Sequence, residues 1–375
     1  MKIIINTAHQ RFGGAVQVAL SFINECKQFP EHEYHIWVGQ GVGKALDKSS
    51  FPNNFYFYDF DFGIIGLKKV KEIQHTLRPL EEKINPDVLI SSTGPTYYKS
   101  KAPQIIGFNL PLYIYPESPF VKNLSLKSKL KLRLKKKLHY YYFKRDATAY
   151  VVQTDDVNNR VRKALKTDKV HTVTNNHSAF YLDHNFLQFE NKLPPKDKGE
   201  FRFLTLTSYY KHKNLDLIVK INELLHSKGF NNVKFILTLK EEEQMRHHLH
   251  GEGIINVGPL KPQECPSVYR ECDAMFLPTL AECFSASYPE AMIMEKPIIT
   301  TNLGFATSIC GNAALYFKPL SAEDACEKII ALIQSENLRK ELIEEGKKEL
   351  KKFDTPKERA RKYLEICAHY ANEKK

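Results

Sequence analysis

The stretch AMFLPTLAECFSASYPEAMIMEKPIITT, residues 274–301, decides the fold. Ala274 to Pro278 is a short apolar run that reads as a buried strand. The residues after Ser285 read as a helix, and Ile298 to Thr301 read as a second buried strand. Two apolar strands joined through a helix make a parallel βαβ unit, covered on both faces. The polar loop after the first strand lies where open α/β sheets bind ligands, outside a strand's carboxyl end.

Working outward, the same grammar fills the chain. Before this stretch come strands at Phe203 to Thr207, Val233 to Leu239 and Ile254 to Val257. They alternate with helices at Leu215 to Ser227, Glu241 to His250 and Pro262 to Glu271. After it come helices over Ser321 to Gln334, Glu336 to Lys352 and Pro356 to Tyr370. The first half holds strands at Ile3 to Asn6, Tyr34 to Val38, Phe55 to Phe60, Val88 to Ser91, Gln104 to Phe108 and Thr148 to Val152. Its helices are Ala15 to Gln28 and Leu67 to Ile84. Between the halves, Asn191 to Glu200 carries two prolines and a glycine and reads as a linker. The expected fold is α/β, two Rossmann-like domains with parallel sheets facing across an interdomain cleft. The expected boundaries are 1–190 for the first domain, 191–200 for the linker and 201–355 for the second domain. A last helix, 356–375, is expected to cross back to the first domain.

Composition narrows the class. The chain has 375 residues, 42% of them hydrophobic, with no apolar run near the ~18 residues of a membrane-spanning helix. The N-terminus turns polar after Ile5, which argues against a secretory signal. Seven cysteines without a Cys-x-x-Cys pair fit reduced thiols in the cytoplasm, with neither a disulfide nor a zinc site. The net charge of +12 points to anionic partners. Ten Lys or Arg and no acidic residue fall between Lys122 and Arg145, so most of that excess is local.

Within the opening stretch, Glu282 and Glu290 stand eight positions apart across a strand-to-helix turn. Ser285 as N-cap would leave the amides of Ala286 and its neighbours free to meet a diphosphate. Glu290, about 7 Å further along the helix at ~1.5 Å per residue, would accept ribose hydroxyls, and Glu282 hydroxyls of a transferred sugar. The loop after Phe203 to Thr207 reads Ser208-Tyr-Tyr-Lys211-His-Lys213-Asn214. Cations there would neutralise a departing phosphate, a role given first to Lys213 and then to Lys211.

In these residues the chain resembles the retaining glycosyltransferases of family 4, whose architecture is GT-B and whose signature is Glu, seven residues, Glu. Pro278, Glu282, Phe284, Glu290, Ala291, Met292 and Pro297-Ile298-Ile299 match that pattern in type and spacing, and the resemblance is close over 200–335. It implies retaining transfer of a hexose from a nucleotide-diphosphate sugar, a co-substrate, with no cofactor and no metal. The acceptor is a saccharide or a lipid-linked saccharide, as in assembly of surface polysaccharide or lipopolysaccharide. The family carries Arg and then Lys in the 208–214 loop. Lys213 matches the lysine, and the arginine's place falls near Ser208. The glycine pair Gly13-Gly14, through Gly14, would face the donor sugar. Asn109 stands where many members carry histidine and cannot act as a base. Gln153 and Asn175 resemble positions lining the cleft. In this family the donor phosphate itself takes the acceptor's proton.

Leu126, Leu130, Leu134 and Leu138 recur every four residues among Lys127, Lys131, Arg133, Lys135, Lys136 and Lys137. A basic helix of this kind, with Tyr140 to Phe143 beside it, suits the anionic cytoplasmic face of a membrane. No nucleic-acid motif accompanies the charge. Asp59-Phe-Asp61 resembles a metal-binding Asp-x-Asp but sits in the wrong half, and His247, His248 and His250 lack zinc-site spacing. Two other readings are a nucleotide-sugar epimerase of the same architecture and a basic peripheral membrane adaptor without catalysis.

Overall fold

A computed structural model describes residues 1–11, 13–182 and 193–373. The chain divides into two units. The first comprises Met1–Ile114, Ser125–Asn175 and Asp354–Lys375, and the second Tyr115–Leu124 and Asn176–Phe353.

The first unit is a parallel sheet of β1 (Lys2–Asn6), β2 (Glu33–Gly39), β3 (Phe55–Phe60), β4 (Val88–Ser91), β5 (Gln104–Gly107), β6 (Ala149–Val152) and β7 (Val170–Thr172). Its order is β3-β2-β1-β4-β5-β6-β7. The strands are apolar on both faces because helices cover both. Ile3, Ile5, Ile36, Val88 and Ile90 are buried in one cluster with Val16, Phe22 and Ile23 of helix Gly14–Glu25. The last helix, Pro356–Glu373, adds Ala360, Tyr363, Leu364 and Cys367 to that cluster. Its Tyr363 ring meets Phe22 edge-on at 5.1 Å. The strand order reverses between β1 and β4, which opens a crevice at their carboxyl ends.

The second unit repeats the plan with β8 (Phe201–Thr205), β9 (Val233–Leu237), β10 (Ile254–Asn256), β11 (Ala274–Leu277), β12 (Ile298–Thr301) and β13 (Ala314–Phe317). Its order is β10-β9-β8-β11-β12-β13, all parallel. The switch point falls between β8 and β11.

Two stretches pack differently from their sequence reading. Leu193 to Glu200, read as a linker, is held to the second unit by polar partners. Fully buried Arg202 pairs with Glu200 and donates to the Pro194 carbonyl at 2.8 Å, and Lys196 pairs with Asp273 at 2.6 Å. Polarity there serves specific bonds, which composition cannot distinguish from solvation. Residues 183–192, including the expected boundary at 190–191, lie outside the described residues. Second, Tyr115–Leu124 falls between β5 and β6 in sequence, yet its contacts lie in the second unit.

The basic segment forms helix Leu126–Asp146, with the Ser125 hydroxyl capping it by accepting from the Ser128 amide. One side packs: Phe143 is buried against Phe108, and Lys136 donates to the Tyr113 carbonyl at 2.7 Å. The leucine row faces out, with Leu126 at 85% exposure and Leu130 and Leu134 at 59%. Among the described residues no helix is long and apolar enough to cross a membrane.

Candidate functional site

In the second unit, β8 and β11 bring two loops together. After β8 the chain makes one 3-10 turn, Lys211–Lys213, stopped by Asn214 in the left-handed region at φ 56°, which asparagine tolerates. After β11 the chain reads Thr279 to Ser285. The Leu280 amide donates to the His212 carbonyl at 2.7 Å, which fixes one loop on the other. Buried threonines pin the strand ends below: Thr205 to the Phe276 carbonyl, Thr300 to Leu277 and Thr301 to Thr279, each at 2.7 to 2.8 Å.

On this platform the Lys213 ammonium pairs with the Glu282 carboxylate, both side chains little exposed. The Thr279 hydroxyl, within 3.0 Å of the same carboxylate oxygen, donates to it. The two residues assigned from sequence to opposite parts of a donor therefore neutralise each other across the loops. His212 immediately precedes Lys213 in the chain. Burial lowers its pKa, opposed by the Glu282 charge.

Glu290 lies in helix Ser287–Ile293. Burial pushes its carboxyl up to about 7, opposed by the nearby Tyr181 hydroxyl. Tyr181 packs edge-on against Tyr269 at 5.9 Å, and the Tyr269 hydroxyl donates to the Ser287 carbonyl at 3.2 Å. The helix starts one residue later than a Ser285 N-cap requires. Ala286 holds the cap position with helical dihedrals and no side-chain cap, while Ser285 is buried and its carbonyl accepts from the Tyr288 amide. Ser285 thus extends the turn. Phe284 meets Phe353 edge-on at 6.0 Å, and Lys211 is exposed.

In the first unit, the crevice between β1 and β4 collects neutral polar groups. Asn109 follows β5 and accepts from the Thr93 hydroxyl at 2.8 Å. Gly107 permits this approach, since a Cβ there would fall 1.9 Å from the Ser92 carbonyl oxygen. Gly13, at φ 82°, needs glycine on backbone grounds, whereas Gly14 opens the helix with nothing within 4 Å of an added Cβ. Gln153 is buried after β6, and its neighbour Thr154 caps helix Asp155–Leu165 by accepting from the Val157 amide at 3.2 Å. Asn175 accepts from buried Arg359, which also donates to Ser21 at 2.6 Å, so it ties β7's end to the last helix. In the basic segment Lys127, Lys131, Arg133, Lys135 and Lys137 are exposed, and Lys136 turns inward.

Sequence reasoning passed over His9, Thr279, Tyr181 and Ser118. His9 Nε2 donates to the Thr93 carbonyl at 3.0 Å, and burial drives its pKa to about 4, so it is neutral at pH 7. The signal available for it was its place after the first strand, beside the glycine pair. The Asp-x-Asp and histidine motifs have ordinary partners: Asp59 pairs with Lys48 at 2.6 Å, Asp61 accepts from Gln40, and His247 stacks on Tyr209. Among the described residues no cluster of three or more His, Cys, Asp or Glu could hold a metal ion.

Known proteins resemble this chain in fold and, more locally, in sequence. Over 98% of both chains it superposes with a sucrose-phosphate synthase from Thermosynechococcus elongatus, at TM-score 0.71 and 12% identity. WaaG, a glycosyltransferase involved in lipopolysaccharide biosynthesis, superposes at TM-score 0.69 and 14% identity over 98% of this chain and 99% of its own. HepE from Anabaena, solved with UDP and glucose, does so at 0.67 and 13% over 98% and 100%. These relatives share the GT-B fold, two parallel-sheet α/β units of the kind described above. In sequence, 96 residues are 36% identical to an uncharacterized glycosyltransferase, MJ1178, of Methanocaldococcus jannaschii; the match spans 25% of this chain and 27% of that protein. Residues 188–349, the part of the chain holding Lys213, Glu282 and Glu290, match the family model described as Glycosyl transferases group 1.

Proposed function

We propose that this protein is a retaining glycosyltransferase that moves a hexose from a nucleotide-diphosphate sugar to a saccharide or lipid-linked saccharide, in assembly of surface polysaccharide or lipopolysaccharide. The observation that carries the reading is the Lys213–Glu282 pair at the switch point of the second sheet, one helix away from desolvated Glu290. An arriving diphosphate competes for Lys213, which frees Glu282 to accept hydroxyls of the sugar. Glu290 takes the ribose hydroxyls. As the anomeric carbon–oxygen bond breaks, Lys213 stabilises the charge gathering on the β-phosphate. The acceptor oxygen bonds the anomeric carbon on the same face, and its proton passes to a phosphate oxygen, so the step needs no protein base. Lys213 supplies the positive charge at the leaving group, so no metal is assigned.

Asn109 and Gln153 are assigned to the acceptor side, and Gly14 to the donor sugar. The exposed leucines of helix Leu126–Asp146, interleaved with five outward cations, fit an anionic bilayer surface and so a lipid-linked acceptor.

The test is thermal unfolding with a panel of UDP- and GDP-sugars, because a ligand bound only by the native state raises its midpoint. One nucleotide sugar is expected to stabilise the wild type and to lose most of that effect in Glu290→Ala. A panel without a single stabilising donor would sink the reading.

A further inference from the structure

The mechanism above does not use residues 115–124, which leave the order of the first sheet's elements to pack in the second unit. Three contacts hold them there. The Tyr115 ring lies edge-on to buried Phe305 at 6.0 Å, and Phe120 lies edge-on to His212 at the same distance. Between them Ser118, 2% exposed, donates its hydroxyl to the Leu280 carbonyl at 2.7 Å. The same hydroxyl accepts from the Phe120 amide at 3.2 Å, so it acts as donor and acceptor at once.

Leu280 is thereby held from both sides, its amide by the His212 carbonyl and its carbonyl by Ser118. It sits between Thr279, whose hydroxyl holds Glu282, and Glu282 itself. A buried carbonyl that loses its donor is left with an unmet bond, which costs free energy unless it turns toward another donor or water. Here that rotation would tilt the turn that aims Glu282, whereas Glu290 lies on a separate helix. Resting on the donor reading above, we infer that Ser118 is a positioning residue for Glu282, and that residues 115–124 form a third wall of the donor loops.

The position predicts a selective defect. Since the 279–282 turn addresses the sugar and not the nucleotide, Ser118→Ala should weaken UDP-glucose or GDP-mannose binding about tenfold, the size of one hydrogen bond. Affinity for UDP or GDP alone should stay within about twofold of wild type. Ser118→Thr keeps the hydroxyl and should restore most of the loss. Calorimetric titration of the three full-length proteins with those four ligands reads this difference. Hydrogen exchange on the ligand-free proteins reads the contact directly: amides 279–283 should exchange faster in Ser118→Ala than in wild type or Ser118→Thr.

Equal loss of nucleotide and nucleotide-sugar affinity would overturn the inference, because a merely destabilised unit weakens both. Unchanged exchange over 279–283 would overturn it as well. Failure of the wild type to bind any nucleotide sugar overturns the donor reading and the role given to Ser118 within it. The exchange comparison then still decides whether Ser118 holds the turn.

Discussion

After β1 the chain reads His9-Gln10-Arg11, and after β8 it reads Lys211-His212-Lys213. Each loop stands at the switch point of a parallel sheet and meets the loop after the fourth strand of that sheet. In the first unit the meeting is neutral, with the His9 imidazole donating to the Thr93 carbonyl and the Gln10 amide reaching Ser92. In the second it is an ion pair, Lys213 with Glu282. The same backbone plan thus fixes which loops meet, and residue type decides the chemistry there. The second unit's loops carry an opposite-charge pair, and the first unit's contacts are between neutral groups.

The sharpest way to break this contrast is to empty each loop. Lys213→Ala is expected to lower turnover about 100- to 1000-fold, the range seen when one group stabilising a developing negative charge is removed. His9→Gln should cost less than about tenfold in the same initial-rate assay, since no charge is removed. Comparable losses would mean that the charge difference does not separate the roles of the two loops.

A smaller effect is written in pH. The Glu290 carboxyl is raised from its ordinary 4.5 to about 7 by burial, so the folded state resists its ionisation and stability falls as pH rises through that interval. His9 is lowered from 6.5 to about 4, so the folded state resists its protonation and stability falls as pH drops from 6.5 toward 4. The two units therefore lose stability in opposite directions. Glu290→Gln should gain stability over wild type on going from pH 5 to pH 8, by up to about 3 kcal/mol. His9→Gln should flatten the acid limb by a similar limit. Urea unfolding across that range checks both signs, and like-signed slopes for the two variants would end the comparison.

The smallest expected effect concerns the exposed cations of helix Leu126–Asp146. Reversing Lys131 and Lys135 to Glu should weaken partition onto phosphatidylserine vesicles, by about 1 kcal/mol for each positive charge removed. The nucleotide-sugar thermal shift should not move. Vesicle sedimentation and thermal unfolding on the same preparation separate the two readouts.

Much of this was legible along the chain. The Ile3-Ile4-Ile5 run, the Phe203 run and residues 274–301 each announce a strand buried on both faces, because a parallel sheet sandwiched by helices has no polar side. Helix Asp155–Leu165 was missed although Thr154 caps it and two aspartates open it, since its apolar face is only Val157, Val161 and Leu165. Helix Gly304–Cys310 and strand Ala314–Phe317 were passed over for the same reason, being too short to show a period. Glu282 and Lys213 stand out because each lies in a loop that follows a strand, and Glu290 because it stands eight positions beyond Glu282 in the helix that follows.

The sequence alone determined the alternation of strands and helices, the two sheets and the identity of the charged residues at their ends, because local periodicity and residue type carry that information. Tertiary structure alone decided that Lys213 and Glu282, 69 positions apart, share one bond. It also decided that burial raises the Glu290 carboxyl to about 7, and that Ser118 reaches Leu280 across 162 positions. Pairing, burial and long-range hydrogen bonds depend on which segments the packed core brings together, and no local pattern along the chain encodes that distance.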